Sequence, residues 1–217
     1  MINYLDEMKK LGKIKSDELK KNLEKKNIKL LFFENLQSAL ESAISKIDKN
    51  AVIGFGGSKT IEALGLIDYL KKNNYKNLLD RSDKSLTPEQ KREIERKMFL
   101  SDIYLTGTNA ITIDGQFVNT DKWGNRVAAM IFGPKKIFIF AGINKIVKDL
   151  NEAFERIKKL SAPLNSIRFN LSTPCTVTGY CMNCSSEQKI CYVTTIINGS
   201  PEKDRITLFL INEYLGF

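Results

Sequence analysis

The sequence predicts an α/β fold: an open, largely parallel sheet with helices on both faces, a helical N-terminal part and a cysteine-rich loop. Three observations predict it. Short apolar runs alternate with stretches of helical period, the signature of strands crossing over through helices. A glycine turn joins one such run to a helix, in AVIGFGGSKTIEALGL at residues 51–66. All four cysteines fall within one short segment near the end of the chain.

Residues 3–26 are polar and lysine-rich, with Leu5, Met8, Leu19 and Leu23 as a narrow apolar stripe. Gly12 is expected to divide them into two helices, the second starting at Ser16-Asp17-Glu18, within a helical N-terminal part spanning residues 1–27. Ile28–Phe33 (IKLLFF) reads as the first strand, and Leu36, Ala39, Leu40, Ala43, Ile44 and Ile47 place a helix over 35–48. Ala51, Val52 and Ile53 form a second apolar run, Gly54-Phe55-Gly56-Gly57 turns the chain, and Ile61, Leu64 and Leu66 pack the next helix onto the sheet. A short apolar piece lies at Asn77-Leu78-Leu79. Thr87-Pro88-Glu89-Gln90 is a capping box with proline at the first helical position, and its helix runs to about Phe99. Asp102–Thr106 reads as a strand, Gly107, Gly115 and Gly124 punctuate short strands and turns, Trp123–Phe132 as a helix and Lys136–Ala141 as a buried strand. Residues 147–161 form an amphipathic helix through Leu150, Phe154 and Ile157, which Pro163 is expected to stop. After a cysteine-rich loop at 172–192, the strands Tyr192–Ile197 and Arg205–Ile211 close a single domain over residues 1–217.

Composition narrows the function. Hydrophobic residues make up 42% and charged residues 27% of the chain, ordinary for a globular protein. No apolar run approaches the length of a membrane span and no secretory leader is visible, so a cytoplasmic location without membrane contact is expected. The net charge of +9 comes from lysines scattered among Asp and Glu, which argues against nucleic acid as a partner. Histidine is absent, excluding Ser-His-Asp, Cys-His and His-ligated metal chemistry.

Ligands of open parallel sheets gather beyond the carboxyl ends of the strands. Three polar loops fall there: Gly54–Thr60, Gly107–Asn109 and Gly142–Lys145. The first is neither a Walker A loop nor a dinucleotide fingerprint, but Gly54, Gly56 and Gly57 followed by Ser58, Lys59 and Thr60 at a helix start suit phosphate, carboxylate or pyrophosphate. The plainer alternative is a tight turn without a ligand. Asn109, Asn125, Arg126, Asn144 and Lys145 are expected to complete the pocket. Asparagines and Asp114 in such loops also serve ordinary turns. Cys175, Cys181, Cys184 and Cys191, spaced C-x5-C-x2-C-x6-C, suit zinc or an iron–sulfur cluster, with redox-active or incidental thiols as alternatives.

Together GFGGSKTIEALGL, LTGTNAITIDGQFVNTDKWGNRVAAMIFGPKKIF, AGINKIVKDLNEAFERI and PCTVTGYCMNC…KIC resemble the LUD domain, the lactate-utilization family of LutC/YkgG type, over nearly the whole chain. The resemblance implies the fold of sugar-phosphate isomerases and CoA transferases, and a place in oxidation of lactate beside iron–sulfur oxidoreductase subunits. Where the isomerases present a catalytic Asp, this chain has Asn109, which cannot take a proton; Asp114 is the candidate to substitute. Two functions follow as expectations. One is a protein of organic-acid metabolism that binds a small anionic metabolite and carries a four-cysteine metal site. The other is a stand-alone enzyme of sugar phosphates or acyl-CoA with Asp114 or Glu62 as base. A non-catalytic oxidoreductase subunit and a homo-oligomer are further candidate assemblies.

Overall fold

The computed structural model describes residues 4–217. The first residues of the expected N-terminal part, residue 3 among them, and the side chain of Leu5 lie outside the described residues. The chain opens with α1 (Tyr4–Glu24), a single helix where two were expected. Gly12 does not break it. A Cβ at Gly12 would come within 2.6 Å of Ile143 Cδ1 and 2.7 Å of Asn212 Oδ1, so this glycine lets α1 approach the sheet closely. Ser16 bonds back to the Lys13 carbonyl at 2.8 Å instead of capping a new helix.

The next elements follow the expected alternation: β1 (Ile28–Phe33), α2 (Leu36–Ser45), β2 (Ile53–Phe55), α3 (Lys59–Leu64), α4 (Leu66–Lys72) and α5 (Pro88–Lys97). The second strand lies further along than Ala51–Ile53, because Gly54 and Phe55 pair with Tyr104 and Leu105 before the chain turns. Gly65, in the left-handed region at φ 69°, ends α3 and starts α4. Leu78 makes one bridge to Ile53, and the Thr87–Gln90 capping box is formed as expected.

Then come β3 (Ile103–Gly107), β4 (Ala110–Thr112), β5 (Phe117–Asp121), α6 (Asn125–Phe132), β6 (Lys136–Gly142), β7 (Ile146–Val147) and α7 (Leu150–Arg156). Pro163 does not stop this last helix. A π-helical turn, Ile157–Ser161, links α7 to α8 (Ala162–Arg168), with the Ala162 N–H bonded to the Ile157 carbonyl. The wider turn restarts the helix just before Pro163, where a missing N–H costs little. The chain ends with α9 (Cys175–Thr178), β8 (Val193–Ile197) and β9 (Ile206–Ile211).

Five strands form the main sheet in the order β1-β9-β6-β3-β2, all parallel. Both faces are buried, which is why its strands read as unbroken apolar runs. Phe138, Phe140, Phe209 and Ile211 face α2, α3 and α4 through Ala39, Ala43, Ile61, Leu64, Leu66 and Leu70. Ile137, Ile139, Leu208 and Leu210 face α1 and α6 through Leu19, Leu23 and Met130, and meet Ile111 and Phe117. Those two belong to a smaller sheet, β7-β4-β5-β8. Its other face sets Ala110 and Val118 against Ala153 and Ile157. The closing strands thus part company: β8 edges the small sheet beside β5, and β9 fills the main sheet between β1 and β6.

Candidate functional site

Because β2, β3 and β6 run parallel, their following loops emerge on one edge, and a cleft of about 520 Å³ opens there. Gly56–Thr60, Gly107–Asn109 and Lys145 line it, so the three loops singled out by position do meet. The far wall comes from Thr120–Trp123, Asn125 and Arg126, from Ile157 and Ser161 of the π turn, from α8, and from Ile190, Cys191 and Phe217.

The glycine loop is shaped by packing as much as by any ligand. A Cβ at Gly54 would press on Met98 and Tyr104 at 2.9–3.0 Å, and one at Gly107 would reach within 2.5 Å of Ser58 Oγ. Gly54 therefore sits inside the strand, away from the cleft, and Gly107 makes room for Ser58 to cap α3 by accepting from Ile61 N at 3.4 Å. Gly57 and Ser58 line the cleft, and no protein acceptor takes their N–H groups among the described residues. Lys59 pairs with Glu62 at 2.5 Å on the exposed side of the loop, which accounts for Glu62 as a surface residue.

Arg126 forms the floor. Its guanidinium donates to Asp121 Oδ1 (2.9 and 2.7 Å), Asn119 Oδ1 (2.8 Å), Asn109 Oδ1 (3.0 Å) and the Gly107 carbonyl (3.0 Å). Asp121 Oδ2 accepts from Val127 N at 3.0 Å, anchoring the start of α6. Asn109 is held through both backbone and side chain: its N–H donates to Asn119 Oδ1 at 3.1 Å, and its own Oδ1 accepts from the Thr120 N–H at 2.9 Å. Asn109 is thus a structural amide, and Arg126 offers an incoming anion little that is not already engaged.

Lys145 is 2% exposed, and its Nζ donates to the Thr108 carbonyl (3.2 Å) and to the main-chain oxygen of Phe217, the last residue of the sequence (2.7 Å). Burial, and then the nearby charges of Arg156 and Arg126, lower its pKa to about 6. Arg156, half-buried and lowered by that burial to about 10, ties α7 to two loops through Asn144 O (3.0 Å) and Asn109 O (2.6 Å), and also holds Ser161 (2.9 Å). Asn144 does not line the cleft. Its side chain clasps the chain's last residues, accepting from Leu215 N at 3.1 Å and donating to Gly216 O at 3.3 Å.

Asp114 lies elsewhere. It is exposed at the tip of the β4–β5 hairpin, accepts from Thr112 Oγ1, and does not border the cleft. The tip instead docks on α1, where Asn22 donates to the Ile113 carbonyl at 2.9 Å and a Cβ on Gly115 would meet Leu23 at 3.0 Å.

All four cysteines are free thiols. Cys181, Cys184 and Cys191 line a smaller cavity of about 270 Å³ beside Lys189, and Cys191 also borders the main cleft. Cys175 is buried, in hydrogen-bond contact with Thr173 (3.2 Å) and Ser166 (3.6 Å). Burial pushes the Cys191 thiol up; Lys189 offsets part of this, and Cys181, Cys184 and Cys175 add to it. The donors suit a soft metal in kind. In position they do not yet form a coordination sphere: among the described residues no three Cys, Asp or Glu groups converge as metal ligands would.

Six basic side chains line the cleft, Lys59, Arg81, Lys122, Arg126, Lys145 and Arg168, against one acidic side chain, Asp121. Of these, Arg81, Lys122 and Arg168 were not picked out from sequence, nor were Asp121 and Arg156. Arg168 lies over the rings of Phe169 (4.3 Å) and Phe217 (5.8 Å), and Lys122 over Trp123 (5.3 Å). The KW pair in NTDKWGNR was the one available signal, a cation beside an aromatic in a loop.

Comparison with known proteins gives a match to the LUD domain over residues 16–211. No curated protein matches the chain. Among solved structures, a DUF162 family protein from Deinococcus radiodurans shares 12% identity at a TM-score of 0.48, over 92% of this chain and 96% of that one.

Proposed function

The chain belongs to the LUD domain family, and on that premise we propose that it takes part in lactate or related organic-acid utilization by binding an anionic metabolite in the cleft. One observation supports this most: at the carboxyl edge of the sheet, six basic side chains and the unpartnered N–H groups of Gly57 and Ser58 face one cleft with a single acidic side chain, already bound to Arg126. Clefts with this excess concentrate anions and hold them through fixed dipoles. In this reading Gly57, Ser58 and Thr60 supply the backbone cradle, Gly56 lines it with its own N–H held by the Leu105 carbonyl at 2.9 Å, and Lys59 and Asn125 add side chains. The Lys59–Glu62 pair is exposed and weak, so Lys59 can turn to a ligand at little cost.

The size of the cleft favours a second reading. About 520 Å³ is within the range of roughly 300–1,000 Å³ that houses drug-sized ligands, well beyond a three-carbon acid. A sugar phosphate or an acyl-CoA would use more of it. Asp114 is badly placed to act as base in either case, being exposed at the hairpin tip.

The cysteine group is the place we assign to a soft metal, zinc or an iron–sulfur cluster, because three thiols already share one cavity. Metal and acid-labile sulfide content of anaerobically purified protein decides between the two, and absence of both removes the assignment.

Calorimetry with lactate, pyruvate, inorganic phosphate, a sugar phosphate and CoA tests the anion site. Lys59→Ala should weaken the best of these about tenfold, the loss of one charge-assisted contact, with unchanged thermal melting. Unchanged affinity would reject the glycine loop as the site.

A further inference from the structure

We propose that Trp123 is a stacking platform for a base, and that the anion the cleft takes is a nucleoside phosphate with its phosphate held toward the glycine loop. This rests on the cleft being an anion site, and it gives the aromatic wall of that site a task of its own.

Two features of the cleft carry the argument. The first is the state of its basic residues. Lys59, Arg81 and Arg126 pair with Glu62, Glu95 and Asp121, and Lys145 donates to main-chain oxygens. Lys122 and Arg168 form no ion pair among the described residues. Each lies instead against an aromatic ring that lines the cleft, Lys122 over Trp123 at 5.3 Å and Arg168 over Phe169 at 4.3 Å.

The second feature is the exposure of those rings. Trp123, the one tryptophan of the chain, is 68% exposed, and Phe169 is 54% exposed. Large rings ordinarily bury most of their surface. Trp123 is held outside by a fixed turn. Before it, Asp121 takes Arg126 with one carboxylate oxygen and Val127 N with the other (3.0 Å), and its carbonyl accepts from Tyr192 N at 3.1 Å. After it, Gly124 sits in the left-handed region at φ 75°, and its carbonyl accepts from Ala128 N at 2.8 Å. The passage from β5 into α6 is thus pinned on both sides of the indole. Arg92 of α5 reaches the same ring at 5.2 Å without bordering the cleft. An exposed π face on a fixed turn, flanked by cations, is the arrangement on which bases stack. A simple carboxylic acid has no group that would use it. A nucleoside phosphate uses both walls: its base meets Trp123, and its phosphate meets Lys122 and the free N–H groups of Gly57 and Ser58.

A single tryptophan makes the test direct. AMP, ribose 5-phosphate, inorganic phosphate, adenosine and CoA are titrated into the whole chain, with calorimetry reading affinity and tryptophan emission reading contact with the ring. AMP and ribose 5-phosphate differ by the base alone, and stacking tolerates any base, so adenine serves as the probe. AMP should quench the emission and bind about tenfold tighter than ribose 5-phosphate, which should leave the emission nearly unchanged. Trp123→Ala should bring AMP down to the affinity of ribose 5-phosphate without moving the latter, and Trp123→Phe should keep most of the advantage. CoA separates two sources of the same chemistry: tighter binding than AMP, with quenching, assigns the nucleotide to a coenzyme, and weaker binding assigns it to a free nucleotide. Equal affinity for AMP and ribose 5-phosphate without quenching leaves the anion site standing and removes the platform. Quenching by adenosine with no binding of any phosphate keeps a ring contact and removes both the nucleoside phosphate and the anion site. Equal losses for AMP and ribose 5-phosphate in Trp123→Ala, with unchanged thermal melting, make the indole a wall of the cleft only. If none of the probes binds, the proposal falls, and lactate and pyruvate alone decide whether the anion site stands.

Discussion

The floor and the rim of the cleft hold their polar groups in opposite ways. On the floor, Arg126 spends its donors on Asp121, Asn119, Asn109 and Gly107, and both Asp121 oxygens are engaged. These residues sit at strand ends and a helix start, so backbone elements alone position them. On the rim, Cys181, Cys184 and Cys191 stand in a segment with no regular structure between α9 and β8, as free thiols that share a cavity without converging. The contrast shows that charge count overstates a cleft's capacity for anions. Arg126 is a strut, while Lys59, Lys122 and Arg168 have no buried carboxylate to satisfy.

The sharpest way to break the comparison is Asp121→Ala. It leaves the Arg126 guanidinium, 14% exposed, without its carboxylate. Removing one partner of a buried pair typically costs about 3–5 kcal/mol. Urea unfolding should show a loss of that size, and a loss under about 1 kcal/mol would mean that the floor is no better fixed than a surface pair.

Next in size is a pH dependence that belongs to Lys145. Its folded pKa, about 6, lies below the ordinary 10.5. Between these values the unfolded chain binds a proton that the folded chain does not, so stability rises with pH across the window and the gain stops below about pH 6. The slope is up to about 1.4 kcal/mol per pH unit. Lys145→Met removes the group, so the difference in unfolding free energy between wild type and variant should move in the wild type's favour from pH 7 to pH 9. A difference that stays flat would place the amine in water.

The fold was largely legible in the sequence because the main sheet is buried on both faces, so that IKLLFF and KIFIFA announce themselves as apolar runs. Gly12 and Pro163 misled for one reason. Both residues weaken a helix by local rules, but Gly12 answers to the approach of Ile143 and Asn212, and Pro163 to a π turn, neither visible locally. In the site, the loops were legible from strand direction alone. The partners were not: Arg126 with Asp121, and Arg156 with Asn109, 47 residues away, depend on how α6 and α7 pack. Asp114 lies outside the cleft, exposed in the β4–β5 turn, a placement that the sequence could not show.

The smallest expected effect is at the rim. Cys181 and Cys184 make only weak contacts: Cys181 Sγ accepts from Asn183 N at 3.4 Å and has an Asn183 Oδ1 neighbour at 3.8 Å. In metal-free protein, replacing both with serine should move the unfolding free energy by no more than about 0.5 kcal/mol, as at other partly exposed positions without a buried partner. A metal held by these thiols would change that, because binding to the folded state alone adds to its stability and the substitution would forfeit all of it. The comparison to make is therefore between two differences, wild type minus variant with added zinc and the same with a chelator. If the two agree, the thiols hold no zinc, and the rim contributes to the cleft through Cys191 alone. If the zinc difference exceeds the chelator difference by several kcal/mol, the rim is ordered by its metal as the floor is ordered by its strands.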